Sequence, residues 1–237
     1  MVYEKSQFWI LLFSYFRIMI SWWKILGIVC VFYAIIGGLT MPVPDLPILE
    51  QSIRNLYYHV PMWFGMILLL LASMINAIQV LNKKDLKYDI KSEAYATTAM
   101  SFGIIGLLTG MIWAKNTWGA FWTNDPKLNS AAIGMLMYAA YFVLRSSIDD
   151  EEKKARVSAV YNIFSFPVFC VLVFVLPRLT DSLHPGNGGN PGFNSYDLDS
   201  RLRMVFYPAV IGWSLIGFWM SDLSIRTLFI EHKKNNN

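Results

Sequence analysis

The sequence predicts an all-α, polytopic membrane protein with six transmembrane helices, and three observations support this fold class. The chain of 237 residues is 55% hydrophobic and only 15% charged, whereas an ordinary soluble domain is roughly 25% charged. Its mean hydropathy is +0.42. Apolar stretches long enough to cross a bilayer recur along the chain, and the basic residues cluster between alternate stretches. We therefore expect a single membrane domain over residues 1–237.

Six stretches approach the length of about 20 apolar residues that a membrane-spanning helix requires. They lie near residues 22–40, 61–81, 95–113, 129–144, 158–177 and 204–222. The fourth is short and begins with the polar residues Asn129 and Ser130, so hydropathy alone defines its start poorly. The first follows basic residues, as in a signal peptide, but no small-residue cleavage site follows it. It is predicted to be a retained span.

The basic residues predict the orientation of the spans. Most of the 20 Lys and Arg residues lie in the two terminal segments and in two connections, 82–93 and 145–157. Because cytoplasmic segments of membrane proteins carry an excess of Lys and Arg, both termini are predicted to be cytoplasmic. The aromatic-rich segment 1–20 is then expected to lie on the cytoplasmic membrane surface. The net charge of +4 follows from this topology and does not indicate nucleic-acid binding.

Three segments share the opposite, outer face in this topology: residues 41–60, the tryptophan-rich segment 114–128, and the Gly/Pro-rich segment 178–203. Of the nine tryptophans in the chain, several are expected to form interfacial belts. The five expected belt residues are Trp9, Trp22, Trp23, Trp213 and Trp219.

Several function classes are disfavoured by what the sequence lacks. The central portions of the spans contain no ionisable residue and no histidine, which argues against a proton-coupled transporter and a transmembrane electron-transfer cytochrome. No phosphate-binding loop occurs, so an ATPase activity would require another subunit. Cys30 and Cys170 lie in apolar runs without a neighbouring Cys or His cluster. We expect a binding protein and not a conventional enzyme.

The chain has three histidines. His232 lies in the charged C-terminal tail and is expected to be solvated. His59 comes directly before the second span, and His184 follows the fifth, so both are predicted on the outer face. Taken alone, each could be a polar interfacial or turn residue.

The sequence WGAFWTNDPKL, residues 118–128, lies on the same face as His59 and His184. Its aromatics alone are consistent with a belt. If the segment is helical, however, Trp118, Trp122 and Asp125 share one side of the helix, and a belt needs no aspartate there. Two imidazoles, a flat aromatic surface and nearby cations match what haem requires, since imidazole ligates haem iron and basic side chains pair with the propionates.

The segment WGAFWTNDPKL resembles the signature W-G-x-x-W-x-W-D-x-R-L of the haem-handling proteins of cytochrome c biogenesis. HVP at 59–61 and LHPG at 183–186 are similar to the histidine motifs of the six-span, CcmC-type family, and the resemblance covers essentially the whole chain. It implies a carrier in the cytoplasmic (inner) membrane that holds b-type, non-covalent haem facing the periplasm. The implied acceptor is a haem chaperone of the CcmE type, with CcmD-type accessory and CcmA- and CcmB-type ABC transporter subunits as further partners.

The resemblance also implies roles for individual residues. His59 and His184 would be the axial ligands of the haem iron. Lys127 stands where the family often has Arg, and Asn124 replaces the last tryptophan of the signature. The residues implied as the haem platform are Trp118, Gly119, Trp122 and Asp125, and Phe121 is expected to supply part of the surface of the missing tryptophan. As a separate hypothesis, Arg54 and Arg178 are the first candidates to pair with the haem propionates, because they lie closest to the histidine motifs or span ends.

Two other functions remain open at the level of sequence: a permease that moves haem or another solute through the helix bundle, and a structural assembly subunit whose aromatics form belts. The glycine- and proline-rich stretch 185–200 is either a passive connector or a mobile flap that lets His184 release haem.

Overall fold

The computed structural model describes residues 21–184 and 198–235, and in these ranges the chain forms six long helices and no strand. All six are long and apolar enough to cross a membrane, as predicted. The predicted surface segment 1–20 and most of the proposed flap 185–200 lie outside the described residues. The six helices are α1 Trp22–Thr40, α2 Leu56–Lys83, α3 Leu86–Trp118, α4 Pro126–Ser146, α5 Glu151–Cys170 and α6 Ser200–Asn235.

The helices are longer than the apolar stretches, so the predicted loops 82–93 and 145–157 are wrong in extent. α2 and α3 are separated by two residues, and Lys84 ends α2 with φ of 51°. Asp85 caps α3 by accepting a hydrogen bond from the Lys87 N–H at 2.9 Å. Hydropathy detects only the apolar, membrane-spanning length of a helix. A capping residue marks where the helix itself begins or ends.

Three short helical segments lie at the end of the bundle that contains Trp118. A 3₁₀ helix, Glu50–Asn55, leads directly into α2. At the end of α5, a π-helical turn, Val171–Val175, and a 3₁₀ turn, Leu176–Arg178, complete the fifth span. The chain then passes through irregular residues up to His184. The described parts of segments 41–60 and 178–203 are thereby anchored directly to spans.

The core surrounds α2, which packs against α3, α5 and α6. Met66, Leu69 and Leu70 of α2 are fully buried in one cluster with Phe102 of α3. A second cluster lies at the N-terminal ends of α2 and α6. It contains Ala34, Ile53, Leu56, Tyr57, Leu202, Val205 and Phe206. Trp213 packs against both clusters, so its predicted place in an interfacial belt is wrong.

Polar side chains join four helices inside the bundle. The Asn162 Nδ2 donates hydrogen bonds to Ser73 Oγ at 2.7 Å and to Ser92 Oγ at 3.1 Å. Tyr138 OH lies 3.4 Å from Asn162 Oδ1. All four residues are buried. Because these groups satisfy one another, their burial among apolar helices is tolerated.

Arg145, predicted to lie in a solvated loop, is buried near the end of α4 with 5% of its surface exposed. Its guanidinium makes two parallel hydrogen bonds to the Asp89 carboxylate, at 2.7 and 2.9 Å. Nη2 also donates to Glu93 Oε2 at 2.8 Å. The extension of α3 and α4 beyond their apolar stretches brings these residues together. This ion network ties α3 to α4 at the end of the bundle away from Trp118.

Replacement of Arg145 by Ala should destabilise the protein, because it leaves the buried Asp89 carboxylate without its cation. We expect the free energy of unfolding to fall by about 3 kcal/mol, measured by denaturation in detergent. The control is Arg156→Ala, which removes an exposed arginine from α5 and should change the value by less than about 0.5 kcal/mol. Equal stability of the two variants would contradict the role given to the ion network.

Candidate functional site

The structure brings His59 and His184 to the same end of the bundle. His59 lies in the first turn of α2, and His184 follows the 3₁₀ turn that ends the fifth span. Both side chains are partly buried. The two imidazoles are close enough to influence each other electrostatically, and Lys127, at the start of α4, acts on both. Arg178 lies within electrostatic reach of Lys127. Two histidines and two cations therefore form one cluster.

The His59 ring is held by the backbone of α3. Its Nδ1 lies 2.9 Å from the Gly106 carbonyl oxygen and 3.3 Å from Thr109 Oγ1. A carbonyl oxygen can only accept a hydrogen bond, so this contact assigns the proton of a neutral imidazole to Nδ1. Nε2 then carries the lone pair that a metal ion can use.

A pair of glycines makes room for the His59 ring. A Cβ atom at Gly110 would lie 2.6 Å from His59 Cε1, and one at Gly106 would lie 3.0 Å from Trp63 Cε2. Trp63 and Trp113 contact the imidazole edge-on, with ring centroids 6.3 and 5.8 Å away. Sequence reasoning missed all four residues, although the spacing of Gly106 and Gly110 by one helical turn was a visible signal of close packing.

The His184 ring is held by a carboxylate. Its Nδ1 lies 3.0 Å from Asp125 Oδ1, which again places the proton on Nδ1 and leaves Nε2 as the ligand atom. The other carboxylate oxygen, Oδ2, accepts hydrogen bonds from the Leu183 N–H at 2.7 Å and from Ser182 Oγ at 2.8 Å. The Trp118 ring contacts the imidazole edge-on at 5.1 Å.

Asp125 also caps α4. Its Oδ1 accepts hydrogen bonds from the backbone N–H groups of Lys127, at 2.9 Å, and Leu128, at 3.2 Å. The residue is 1% exposed. Trp118 ends α3 whereas Asp125 caps α4, so the shared helix face considered for Trp118, Trp122 and Asp125 is not formed. The geometry assigns Asp125 to fixing residues 182–184 against the start of α4.

The pKa values of His184 and Asp125 favour a neutral imidazole and an ionised carboxylate at neutral pH. Burial lowers the pKa of His184 to about 4, and the positive charge of Lys127 acts in the same direction, against the opposing effect of Asp125. Burial by itself raises the pKa of Asp125, but the Leu183 N–H, His184 and Ser182 outweigh it, so the pKa lies below its ordinary value. At neutral pH the site therefore holds a neutral imidazole beside a carboxylate.

The segment 118–128 is not one helix, contrary to the arrangement considered from the sequence. Trp118 is the last residue of α3, and Gly119 adopts a left-handed conformation with φ of 80°. α4 begins only at Pro126. Gly119 is a helix stop and Asp125 with Pro126 a helix start, so local capping overrides the 3.6-residue spacing of the aromatics. Among the described residues, no atom would lie within 4 Å of a Cβ at Gly119.

The irregular part of this segment presents aromatic surface. Phe121 is 53% exposed and Trp122 is 40% exposed. The Trp122 Nε1 donates to Asn129 Oδ1 at 3.2 Å, and the Asn129 Nδ2 donates to Asn124 Oδ1 at 2.8 Å. Asn124, which stands in place of a family tryptophan, therefore ends a hydrogen-bonded chain that orients Trp122. The Lys115 ammonium lies 5.8 Å from the centre of the Phe121 ring.

The structure places the two candidate arginines differently. Arg54 turns towards the end of α1, where its Nη1 donates to the carbonyl oxygens of Gly38 at 2.8 Å and Met41 at 2.9 Å. These bonds satisfy carbonyls that the helix end leaves without partners. Arg178 is exposed and lies in the histidine and lysine cluster. The geometry thus favours Arg178 over Arg54 as a cation for an anionic ligand.

Comparison with known proteins identifies the family of this chain. The sequence pattern of the family described as CcmC, Heme exporter protein C, matches residues 8–237. The chain belongs to the heme exporter protein C family. This membership confirms the resemblance seen in the sequence motifs.

Individual relatives carry the same name. The heme exporter protein C of Rhodobacter capsulatus is 27% identical over 185 residues, covering 75% of this chain and 71% of the relative. That of Escherichia coli is 25% identical, covering 74% of this chain and 67% of the relative. The match to heme exporter protein C of Bradyrhizobium diazoefficiens is 29% identical and spans less than half of either protein, 47% and 43%.

Removal of the Asp125 carboxylate should release residues 182–184 from α4. In Asp125→Ala we expect faster amide hydrogen exchange at Leu183, because its N–H loses its acceptor. Asp150→Ala is a matched control, since Asp150 caps α5 through the Lys153 N–H at 2.7 Å and is exposed. Both variants lose a cap worth about 1 kcal/mol, but only the first should change exchange at Leu183. Unchanged exchange there would contradict the tether.

A methyl group at Gly110 should displace the His59 ring. The Cβ that Gly110→Ala introduces would lie 2.6 Å from His59 Cε1, too close for both atoms to keep their positions. We therefore expect the binding of haem to weaken by about tenfold or more. The measurement is haem titration followed in the visible spectrum. Ser101→Ala changes an exposed position on the same helix and should leave binding unchanged. Equal affinities in the two variants would show that His59 does not depend on this contact.

Proposed function

We propose that this protein binds haem at the outer end of its helix bundle and delivers it for cytochrome c maturation. The observation that carries the proposal is that His59 and His184 are hydrogen-bonded in the same way. Each ring has Nδ1 engaged by an acceptor, Gly106 O or Asp125 Oδ1, and each therefore offers Nε2. Membership of the heme exporter protein C family supports a role in haem handling.

The donor set fits haem as a cargo. Haem supplies an iron atom with two axial positions, and neutral imidazole is a common ligand for them. Protein groups that fix the second ring nitrogen orient an imidazole ligand and raise its basicity. In the proposed site, the Gly106 carbonyl does this for His59 and the Asp125 carboxylate does it for His184.

The remaining residues of the site would bind the macrocycle. Phe121 and Trp122 expose apolar ring surface for stacking against the porphyrin. Lys127 and Arg178 provide positive charge for the propionates. Gly119 would keep the backbone accessible, because no atom of the described residues lies within 4 Å of the position of its Cβ. Arg54 remains a further candidate for a propionate, although its hydrogen bonds to α1 already give it a structural role.

Delivery of the bound haem requires an acceptor protein. A platform with exposed aromatics leaves one edge of a bound porphyrin open to an acceptor, and we propose a haem chaperone of the CcmE type. A small CcmD-type membrane subunit and CcmA- and CcmB-type ABC transporter subunits would complete the assembly. The site would face the periplasm from the cytoplasmic membrane, as the distribution of basic residues suggests.

Visible spectra of the purified protein test the ligand assignment. Wild-type protein should bind haem with a bis-imidazole spectrum, and His59→Ala and His184→Ala should each lose that spectrum because one axial ligand is missing. His232→Ala, which removes the histidine of the C-terminal tail, is the control and should match the wild type. Haem that binds equally to all variants would refute both ligands, and an absence of binding to the wild type would favour a structural subunit.

A further inference from the structure

A second candidate site lies at the opposite end of the bundle from His59 and His184. A cavity of about 380 Å³ opens between the first turn of α1, the side of α3 and the C-terminal half of α6. The other end of α1 is the one that Arg54 contacts near the histidine cluster, so the length of a span separates the two sites. The cavity shares no residue with the proposed haem site.

Charged groups of both signs line this cavity. Lys24 is 4% exposed, and its Nζ lies 3.7 Å from Asp222 Oδ2. Arg226 donates from Nη2 to the same carboxylate oxygen at 2.9 Å. Among the described residues that line the cavity, two cations and one carboxylate give a net positive charge. Such a site attracts an anion, while the carboxylate can still accept hydrogen bonds from an ammonium group.

Aromatic rings form the rest of the site. The Lys24 ammonium lies 5.4 Å from the Trp23 ring centre and 5.3 Å from that of Trp219. Tyr95 and Phe218 pack edge-on at 5.9 Å in the wall of the cavity. Tryptophan and tyrosine with basic residues at a span end are typical of the boundary between lipid headgroups and acyl chains.

We propose that this cavity binds the headgroup of an aminophospholipid such as phosphatidylethanolamine. The lipid phosphate lies between Lys24 and Arg226, and the ammonium group faces Asp222. Beside the cavity, α1 exposes Trp22 (76%) and Ile25 (50%), a surface against which the acyl chains pack. A zwitterionic headgroup matches the mixed charges better than a purely anionic one, which Asp222 repels. The bound lipid joins α1 to α6.

Native mass spectrometry of the full-length protein tests the proposal. Delipidated protein in detergent is mixed separately with phosphatidylethanolamine, phosphatidylglycerol and phosphatidylcholine. The wild type should retain one phosphatidylethanolamine in preference to the other two lipids. Arg226→Gln should weaken that retention about tenfold, the effect of losing one charge-assisted hydrogen bond. Arg226 is 54% exposed at its side chain, so this change is compatible with folding.

The control variant is Lys153→Gln combined with Arg156→Gln, which removes two exposed cations from α5 and should leave lipid retention unchanged. Asp222→Asn should shift the preference from phosphatidylethanolamine towards phosphatidylglycerol, because the ammonium loses its anionic partner. Equal retention of all three lipids, or equal behaviour of Arg226→Gln and the control, would overturn the proposal. Binding of inorganic phosphate as tight as that of the lipid would instead identify a site for a free anion.

Discussion

The end of the bundle that contains Trp118 and His184 depends on one buried carboxylate. Asp125 accepts hydrogen bonds from the start of α4 through Lys127 and Leu128, and from the segment after α5 through Ser182 and Leu183. The same carboxylate faces the His184 imidazole. Burial of a carboxylate is costly unless donors surround it, so these contacts stabilise one another. They hold a stretch without regular secondary structure in a defined position beside Trp118.

The Nδ1 atom of His59 also contacts an oxygen acceptor, but the contact differs from that of His184. His59 belongs to a helix, its Nδ1 contacts a neutral carbonyl, and its ring fits against Gly106 and Gly110 of α3. The two proposed ligands are therefore not equivalent: His184 is held by a carboxylate side chain, whereas the position of His59 follows from helix packing.

The aromatic segment between the two histidines is defined by the helices that flank it. α3 ends at Trp118 and α4 begins at Pro126, and the Arg145 to Asp89 ion pair joins these helices at their far ends. Within the bundle, Asn162 links α5 to Ser73 and Ser92 of α2 and α3. The exposed rings of the proposed haem platform thus extend from a framework whose buried polar groups determine how the helices sit together.

Local features of the sequence were sufficient for the six spans and for the family. Hydropathy depends on a residue and its near neighbours, and the motifs around His59, Trp118 and His184 are contiguous, so both could be recognised without a structure. The same locality explains the errors. Spacing alone suggested that Trp118 and Trp122 share a helix face, but Gly119 ends the helix between them, and Arg145 was assigned to a loop because it follows an apolar stretch.

The contacts between residues far apart in the sequence could be identified only from the tertiary structure. Gly106 is 47 residues from His59, Leu183 is 58 residues from Asp125, and Arg145 is 56 residues from Asp89. No local pattern encodes such pairs, because they form only when separate helices pack in one register. The sequence therefore indicates which side chains have the chemistry to bind haem. Tertiary contacts decide which nitrogen each histidine presents, that Asp125 is buried, and that Arg54 faces α1.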